Sequence, residues 1–453
     1  VRILLPLVLL YLSLFLLWGF RDLKKFLLFT GVFTIPFAID YGFVYGIHIG
    51  WVSGVFIRLS DISFLLLPLV WLAGAGERIH LAPRISLPTL AFILACLFSL
   101  ANSTAAGYTF YQVLQLATVF FCYFFIATNS LASREDLSLV VRFLMISLLF
   151  QSVLSIFQFQ TAIDLNLRTG SEVSYMTVGE GWVRSYGTIG RPNGFGGYIV
   201  PLILLAQVMI ISGVERRKGL CWVAMLLGVA ALVFSFSRGA WVSFAVANLF
   251  LVAVALKRRL EWVRRLLLAQ LVVGLVIFPF TLVIIERLFG YDAGAAWSRL
   301  PLMKLAWNMI TDHPYLGVGG NTFLNVAYRY ITPDIADAWV GEVHNMYLLV
   351  FAEAGVIGLA AFLWLMGAFF REASRLSRAE DPFLAALGLG GMAALVAVGT
   401  HMFVDMYTGS ILLDLLFFLA AALAAGNRVP QGALSPLTEP RPESLRMAAE
   451  AAS

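Results

Sequence analysis

Apolar runs long enough to cross a bilayer alternate with short polar connections along most of this chain. A membrane-spanning helix needs about 20 mostly apolar residues. Candidate runs fall at roughly 3–19, 26–47, 58–76, 86–101, 109–131, 138–161, 193–213, 219–236, 239–256, 264–288, 344–370, 383–404 and 409–426. They predict an all-α polytopic membrane protein of about 12–14 transmembrane helices. The range is set by SFSRGAW, which reads either as a tight turn or as a mid-membrane break. One stretch interrupts the rhythm. From Tyr291 to about Phe370 a long polar interruption is closed by the start of another apolar helix, with Arg299, Lys304, Arg329 and His344 set among aromatics and glycines. Within it, Leu300, Leu302, Leu305, Ala306, Met309 and Ile310 recur at helical spacing and predict an amphipathic helix over 298–311. Asp312-His313-Pro314 ends that helix, and GVGGN follows as a flexible turn.

Composition agrees. The 453 residues are 60% hydrophobic and 13% charged, with a mean hydropathy of +0.88, against about a quarter charged for soluble proteins. The first apolar run, Ile3 to Trp18, is followed by RDLKK and reads as a membrane helix, not as a cleaved leader. Lys and Arg cluster in RDLKK, ERIHLAPR, ASRED, ERRKG, KRRLEWVRR and REASRLSRAED, at every second connection. The positive-inside rule makes these cytoplasmic. The alternate connections then face the periplasm, including the long segments 162–192 and 289–343, the second of which contains short helices. Residues 1–426 read as a single membrane domain, and the tail 427–453, rich in Pro, Ala and Glu, as a disordered cytoplasmic extension. The net charge of +5 is spent on topology and implies no nucleic-acid partner. Cys96, Cys122 and Cys221 lie in apolar runs and read as small hydrophobes. No metal-ligand spacing and no cofactor motif is present, so neither is expected.

Basic side chains on the charge-poor face are the candidate chemistry. Arg191 precedes Pro192 at the head of a helix, Arg238 joins two apolar runs, Arg299 opens the amphipathic helix, and His344 opens the next membrane helix. A guanidinium at membrane depth needs an anion, and its fork suits phosphate. Imidazole suits proton transfer near neutral pH. Each also has an ordinary explanation: Arg238 as a helix cap, Arg191 as a loop brace, Arg299 as an interfacial residue, His344 as a helix-terminal hydrogen bonder. Asn345 and Glu353 are supporting candidates, although Glu353 reads first as a structural partner of another helix. His401 and Asp405, one turn apart, read as a local hydrogen bond, Asp61 as the partner of Arg58, and Asp334, Asp337 and Glu342 as solvent-side acids.

The segments RLPLMKLAWNMITDHPYLGVGGNTF, HNMYLLVFAEAGVIGLAAFL, SFSRGAWVSF and GTIGRPNGFGGYIVPL resemble the O-antigen ligase and polymerase superfamily of bacterial envelope glycosyltransferases. The likeness covers roughly residues 185–370. It implies a GT-C-like membrane fold and metal-independent, inverting transfer of a glycan from undecaprenyl pyrophosphate to an acceptor sugar hydroxyl, at the periplasmic side of the inner membrane. Arg238 and Arg299, with Arg191 as a third contact, would hold the pyrophosphate, and His344 would act as base. Tyr315, Tyr328, Tyr330, Trp339 and Tyr347 would stack on sugars, an interfacial aromatic belt being their ordinary explanation. The implied partners are the lipid-linked glycan donor, a glycan or lipid A–core acceptor, membrane lipids and a chain-length regulator. The ligase reading leads, an exopolysaccharide polymerase or a protein O-oligosaccharyltransferase is its neighbour within the superfamily, and a polysaccharide flippase is the alternative from another class.

Overall fold

The computed structural model of the chain describes residues 22–45, 54–73, 79–165, 167, 177–178, 181–214, 218–257, 260–289, 299–335, 341–407 and 411–430. The expected span 3–19, most of the 427–453 tail, Asp337 and Trp339 lie outside the described residues. Among those described, eight helices are long and apolar enough to cross a membrane: Arg84–Asn102, Ala106–Ser130, Arg134–Thr161, Pro192–Ser212, Arg238–Leu256, Leu260–Phe289, Met346–Leu376 and Pro382–His401. Three shorter apolar helices, Leu59–Val70, Lys218–Phe234 and Ile411–Gly426, accompany them. The all-α polytopic architecture is therefore the one observed. Two small antiparallel hairpins are the β structure described.

One expected span is not a single helix. Leu23–Thr34 is helical for 12 residues, after which the chain enters the hairpin Asp40–Tyr45 paired with Gly54–Arg58. Pro36 lacks an amide hydrogen to continue the helix, and the β-branched and aromatic residues on both sides favour strands.

Helix boundaries follow from local chemistry. Ser133 and Asp136 form a reciprocal capping box at the start of Arg134–Thr161. Asp381 accepts from Phe383 and Leu384 amides, with Pro382 at the first helical position. Pro192–Ser212 is the central helix, buried along nearly its whole length. Leu260–Phe289 sits at the rim, with a long apolar stretch largely uncovered by protein, as lipid contact requires, between charged ends that include Arg287.

The two sets of connections separate to opposite ends of the bundle. Lys24 pairs with Asp136 at 3.0 Å, Arg134 with Asp381 at 2.6 Å and Arg84 with Glu372 at 3.6 Å, joining the Lys- and Arg-rich connections to one another. At the other end, Asn102 donates to the Gly317 carbonyl, Thr109 to that of Gly320 and Thr188 to that of Pro36. The charge-poor connections meet there, and this is the face that carries the site.

The interruption after residue 298 folds as a small layer on that face. Helix Arg299–Asp312 buries Leu302, Leu305, Ala306, Met309 and Ile310 against Val318, Phe323, Val326 and Val343. Leu300, expected on the same stripe, is exposed. The layer is stitched into a break in helix Met346–Leu376. Gly355 takes φ +66°, so the carbonyls of Ala352 and Glu353 leave the helical ladder and accept from Val318 (2.9 Å) and Gly319 (3.0 Å), while Val356 donates to Pro314 (2.8 Å). A side chain at Gly355 would collide with the Tyr315 carbonyl, and one at Gly317 with the Glu353 backbone. HPYLGVGG and AEAGVIG are thus two halves of one backbone junction.

Candidate functional site

Two buried glutamines fix the approach to the central helix. Gln158 accepts from the Tyr186 and Gly187 amides and donates to the Gly187 carbonyl. Gln151 accepts from the Thr188 amide and donates to its hydroxyl. Thus locked, the segment places Arg184, which is buried, against the turn between Lys218–Phe234 and Arg238–Leu256. Arg184 Nε donates to the Ser235 carbonyl at 3.0 Å, and one terminal nitrogen to Asn193 Oδ1 at 2.9 Å. SFSRGAW proves to be a tight turn: Phe236 sits at φ +50°, and Ser237 caps the next helix by accepting from Ala240. Arg238 is consequently the first residue of a 19-residue helix, where the dipole adds to its own charge.

Arg184, Arg238, Arg287 and Arg299 converge on one cavity of about 110 Å³, completed by Asn193, Ser237, Gly239, Val404 and His401. No carboxylate is among its described lining residues. Burial, reinforced by the charges of Arg287, Arg238 and Arg299 and opposed by Asp405, pulls the Arg184 guanidinium down to about 10. Such a concentration of cations, two of them on the first turn of a helix of 14 residues or more, has the chemistry to hold an anion with several oxygens.

His344 is positioned by the loop that follows helix Pro382–His401. Met346 donates to the Met402 carbonyl at 2.8 Å, and His344 Nδ1 lies 3.5 Å from Asp405 Oδ1. Burial pushes the Asp405 carboxyl up, but its hydrogen bond to His344, the charges of His401 and His344 and the Met406 amide outweigh it, leaving the group below its ordinary value. An ionised Asp405 orients the His344 ring and leaves its Nε2 edge for a proton. Val404 lines the arginine cavity, so the His344–Asp405 pair and the cavity share one loop.

The structure thus brings Arg238 and Arg299 together, and the loop whose Val404 lines their cavity also carries Asp405, the partner of His344. Arg191 is not among the lining residues. It is exposed at the head of Pro192–Ser212. His344 lies just outside its helix. Asn345 is the cap, accepting from the Leu348 amide at 3.0 Å. Glu353 is buried and accepts from the Phe323 amide at 3.1 Å and from the Gln112 side chain, so it ties its helix both to the 319–323 loop and to helix Ala106–Val119. His401 does not bond the Asp405 side chain: its Nδ1 lies 3.2 Å from the Tyr407 hydroxyl. Asp61 caps the Arg58 amide and accepts from Tyr123, while the Arg58 guanidinium pairs with Asp414.

Glu342, expected in solvent, is buried; burial first, then the charge of Glu353, pushes its carboxyl up to about 9 against the pull of Arg191. Lys304 pairs with Asp334 on the surface, and Arg329 stacks over Tyr328. Tyr347 donates to the Gly399 carbonyl and packs on Phe403, which makes it part of the bundle.

Residues 223–363 match the family model described as O-antigen ligase. That stretch contains Arg238, Arg287, Arg299 and His344, whereas Arg184, His401 and Asp405 lie outside it. An O-antigen ligase of Salmonella typhimurium (strain LT2) is 25% identical over 184 residues, covering 38% of this chain and 45% of that protein. The chain therefore spans less than half the length of that relative. The family match and the partial relative, joined to the multi-pass helical architecture, support membership of the O-antigen ligase superfamily.

Proposed function

We propose that this chain is a glycosyltransferase that moves a glycan from an undecaprenyl-pyrophosphate carrier to an acceptor sugar hydroxyl, at the periplasmic face of a bacterial inner membrane, in the manner of an O-antigen ligase. The observation that carries the reading is the cavity lined by four arginines and no described carboxylate, joined through one loop to an imidazole–carboxylate pair. The guanidinium groups would hold the two phosphates and stabilise the charge that grows as the bond from anomeric carbon to phosphate oxygen breaks. His344 Nε2 would take the proton of the attacking hydroxyl, with Asp405 stabilising the imidazolium that forms. Attack opposite the leaving diphosphate inverts the anomeric centre. The side assignment rests on the Lys- and Arg-rich connections gathering at the other end of the bundle.

The test is incubation of the purified chain in nanodiscs with a lipid-pyrophosphate-linked glycan and, separately, lipid A–core or a second lipid-linked repeat unit. Extension of lipid A–core supports the ligase reading, extension of the repeat unit converts it to a polymerase, and extension of neither by an otherwise folded protein contradicts it.

A further inference from the structure

In the sequence His401 reads only as a local hydrogen-bond partner of Asp405, yet its ring is closely held at the cavity. It ends helix Pro382–His401 and is 1% exposed. The imidazole is slotted between two glycines: a Cβ on Gly197 would lie 3.2 Å from Cε1 and Nδ1, and one on Gly239 would lie 3.3 Å from Cδ2 and 3.4 Å from Nε2. Nδ1 faces the Tyr407 hydroxyl at 3.2 Å. Nε2, on the edge beside Gly239, is buried, has no hydrogen-bond partner among the described residues and belongs to a residue that lines the arginine cavity. A buried polar atom left in this condition is costly, on the order of 1–3 kcal/mol, unless something outside the chain satisfies it. The cavity has room for several waters, each needing about 10–15 Å³ of such space, and so for a phosphoryl group.

We propose that His401 is an uncharged hydrogen-bond donor to the bound diphosphate, held in the tautomer that points Nε2–H into the cavity by the Tyr407 hydroxyl donating to Nδ1. The inference rests on the diphosphate reading of the cavity and adds a positioning residue to it. Burial, with the Asp405 charge behind it, raises the Tyr407 phenol well above its ordinary value, so the hydroxyl keeps the hydrogen this arrangement uses. The four arginines donate with full charge, and Asn193 offers its amide nitrogen because Arg184 already occupies its oxygen. A neutral fifth donor adds direction without adding charge, fixing which phosphate oxygen faces helix Pro382–His401. Sequence motifs offered no sign of it, because the pairing partner lies six residues on and the ligand-facing atom is defined only by the packing of Gly197 and Gly239.

The experiment measures inorganic pyrophosphate binding by calorimetry to the full chain in phosphatidylcholine nanodiscs, with a second set containing phosphatidylglycerol. Loss of a hydrogen bond to a charged group corresponds to about a ten- to hundred-fold weakening. His401→Leu should show that loss with no change in how affinity depends on salt, because no charge is removed. His401→Gln, which can present an amide N–H near the same point, should recover most of the affinity. Tyr407→Phe leaves the ring but frees its tautomer, and should weaken binding several-fold. Unchanged affinity in a folded His401→Leu or in Tyr407→Phe overturns the assignment. If His401→Leu does not fold, Tyr407→Phe and His401→Gln decide. Loss of binding in Arg238→Gln but not in His401→Leu rejects His401 alone. No pyrophosphate binding by the wild type, in either membrane, rejects the diphosphate reading itself. Competition by phosphatidylglycerol that depends on His401 would mean that the cavity holds a lipid headgroup phosphate, again against the donor reading.

Discussion

Glu342 offers a test in which the magnitude follows from the structure. Its carboxyl titrates at about 9 in the folded protein against 4.5 ordinarily, because it is buried beside Glu353 with only Arg191 pulling the other way. Between those values the folded state holds a proton that the unfolded state has released, so stability falls as pH rises. It is at its full value below 4.5, declines by about 1.4 kcal/mol per pH unit, and stops declining above 9. From pH 7 to pH 9 the loss is on the order of 3 kcal/mol. Glu342→Gln, an isostere of the neutral acid, removes the titration. Thermal unfolding of the nanodisc-embedded chain from pH 6 to 9 should show the wild type losing stability steadily and the variant losing much less, with the gap widening toward pH 9. Transfer activity at pH 7 should survive the substitution. Parallel melting of the two proteins across that range would refute the buried neutral acid.

His344→Ala and Asp405→Asn should each lower the glycan transfer rate by about 10²- to 10⁴-fold, and the double variant should be little worse than His344→Ala alone; independent, additive losses in single-turnover assays would show that the two do not act together. Arg184→Gln removes donors to Ser235 and Asn193 and should destabilise by about 1.5–3 kcal/mol while weakening donor binding, read as paired melting and binding curves. Gly355→Ala forces a side chain at φ +66° onto the Tyr315 carbonyl and should cost at least about 1–3 kcal/mol, with the 314–323 loop becoming protease-sensitive; a variant as stable and resistant as the wild type would contradict the backbone junction.

The helical membrane architecture was legible because a bilayer imposes length and apolarity on each span, and the alternation of basic connections located the site face. Arg238 and Arg299 were legible as cations placed against that bias. The same criterion applies to Arg184 and Arg287, but neither heads a helix, and convergence of four distant positions is a property of packing that a linear reading does not contain. One-turn spacing correctly predicts a local hydrogen bond between Asp405 and His401, made by the Asp405 amide to the His401 carbonyl at 3.0 Å, but it contains no sign of the side-chain contact with His344 across 61 residues. The glycines of AEAGVIG suggested close helix packing. They serve a broken helix whose carbonyls are taken up by the preceding loop, and a φ of +66° has no signature beyond the glycine itself. The hairpin at Asp40–Tyr45 escaped for a related reason, since β-branched and aromatic residues are also common in membrane helices.

The most direct test of the central claim is a structure of the chain with a short polyprenyl pyrophosphate bound. The account predicts both phosphates in the cavity, within hydrogen-bond distance of Arg238 and Arg299, with His344 on the side from which an acceptor hydroxyl would approach. A diphosphate bound elsewhere, with the cavity unchanged, would contradict it.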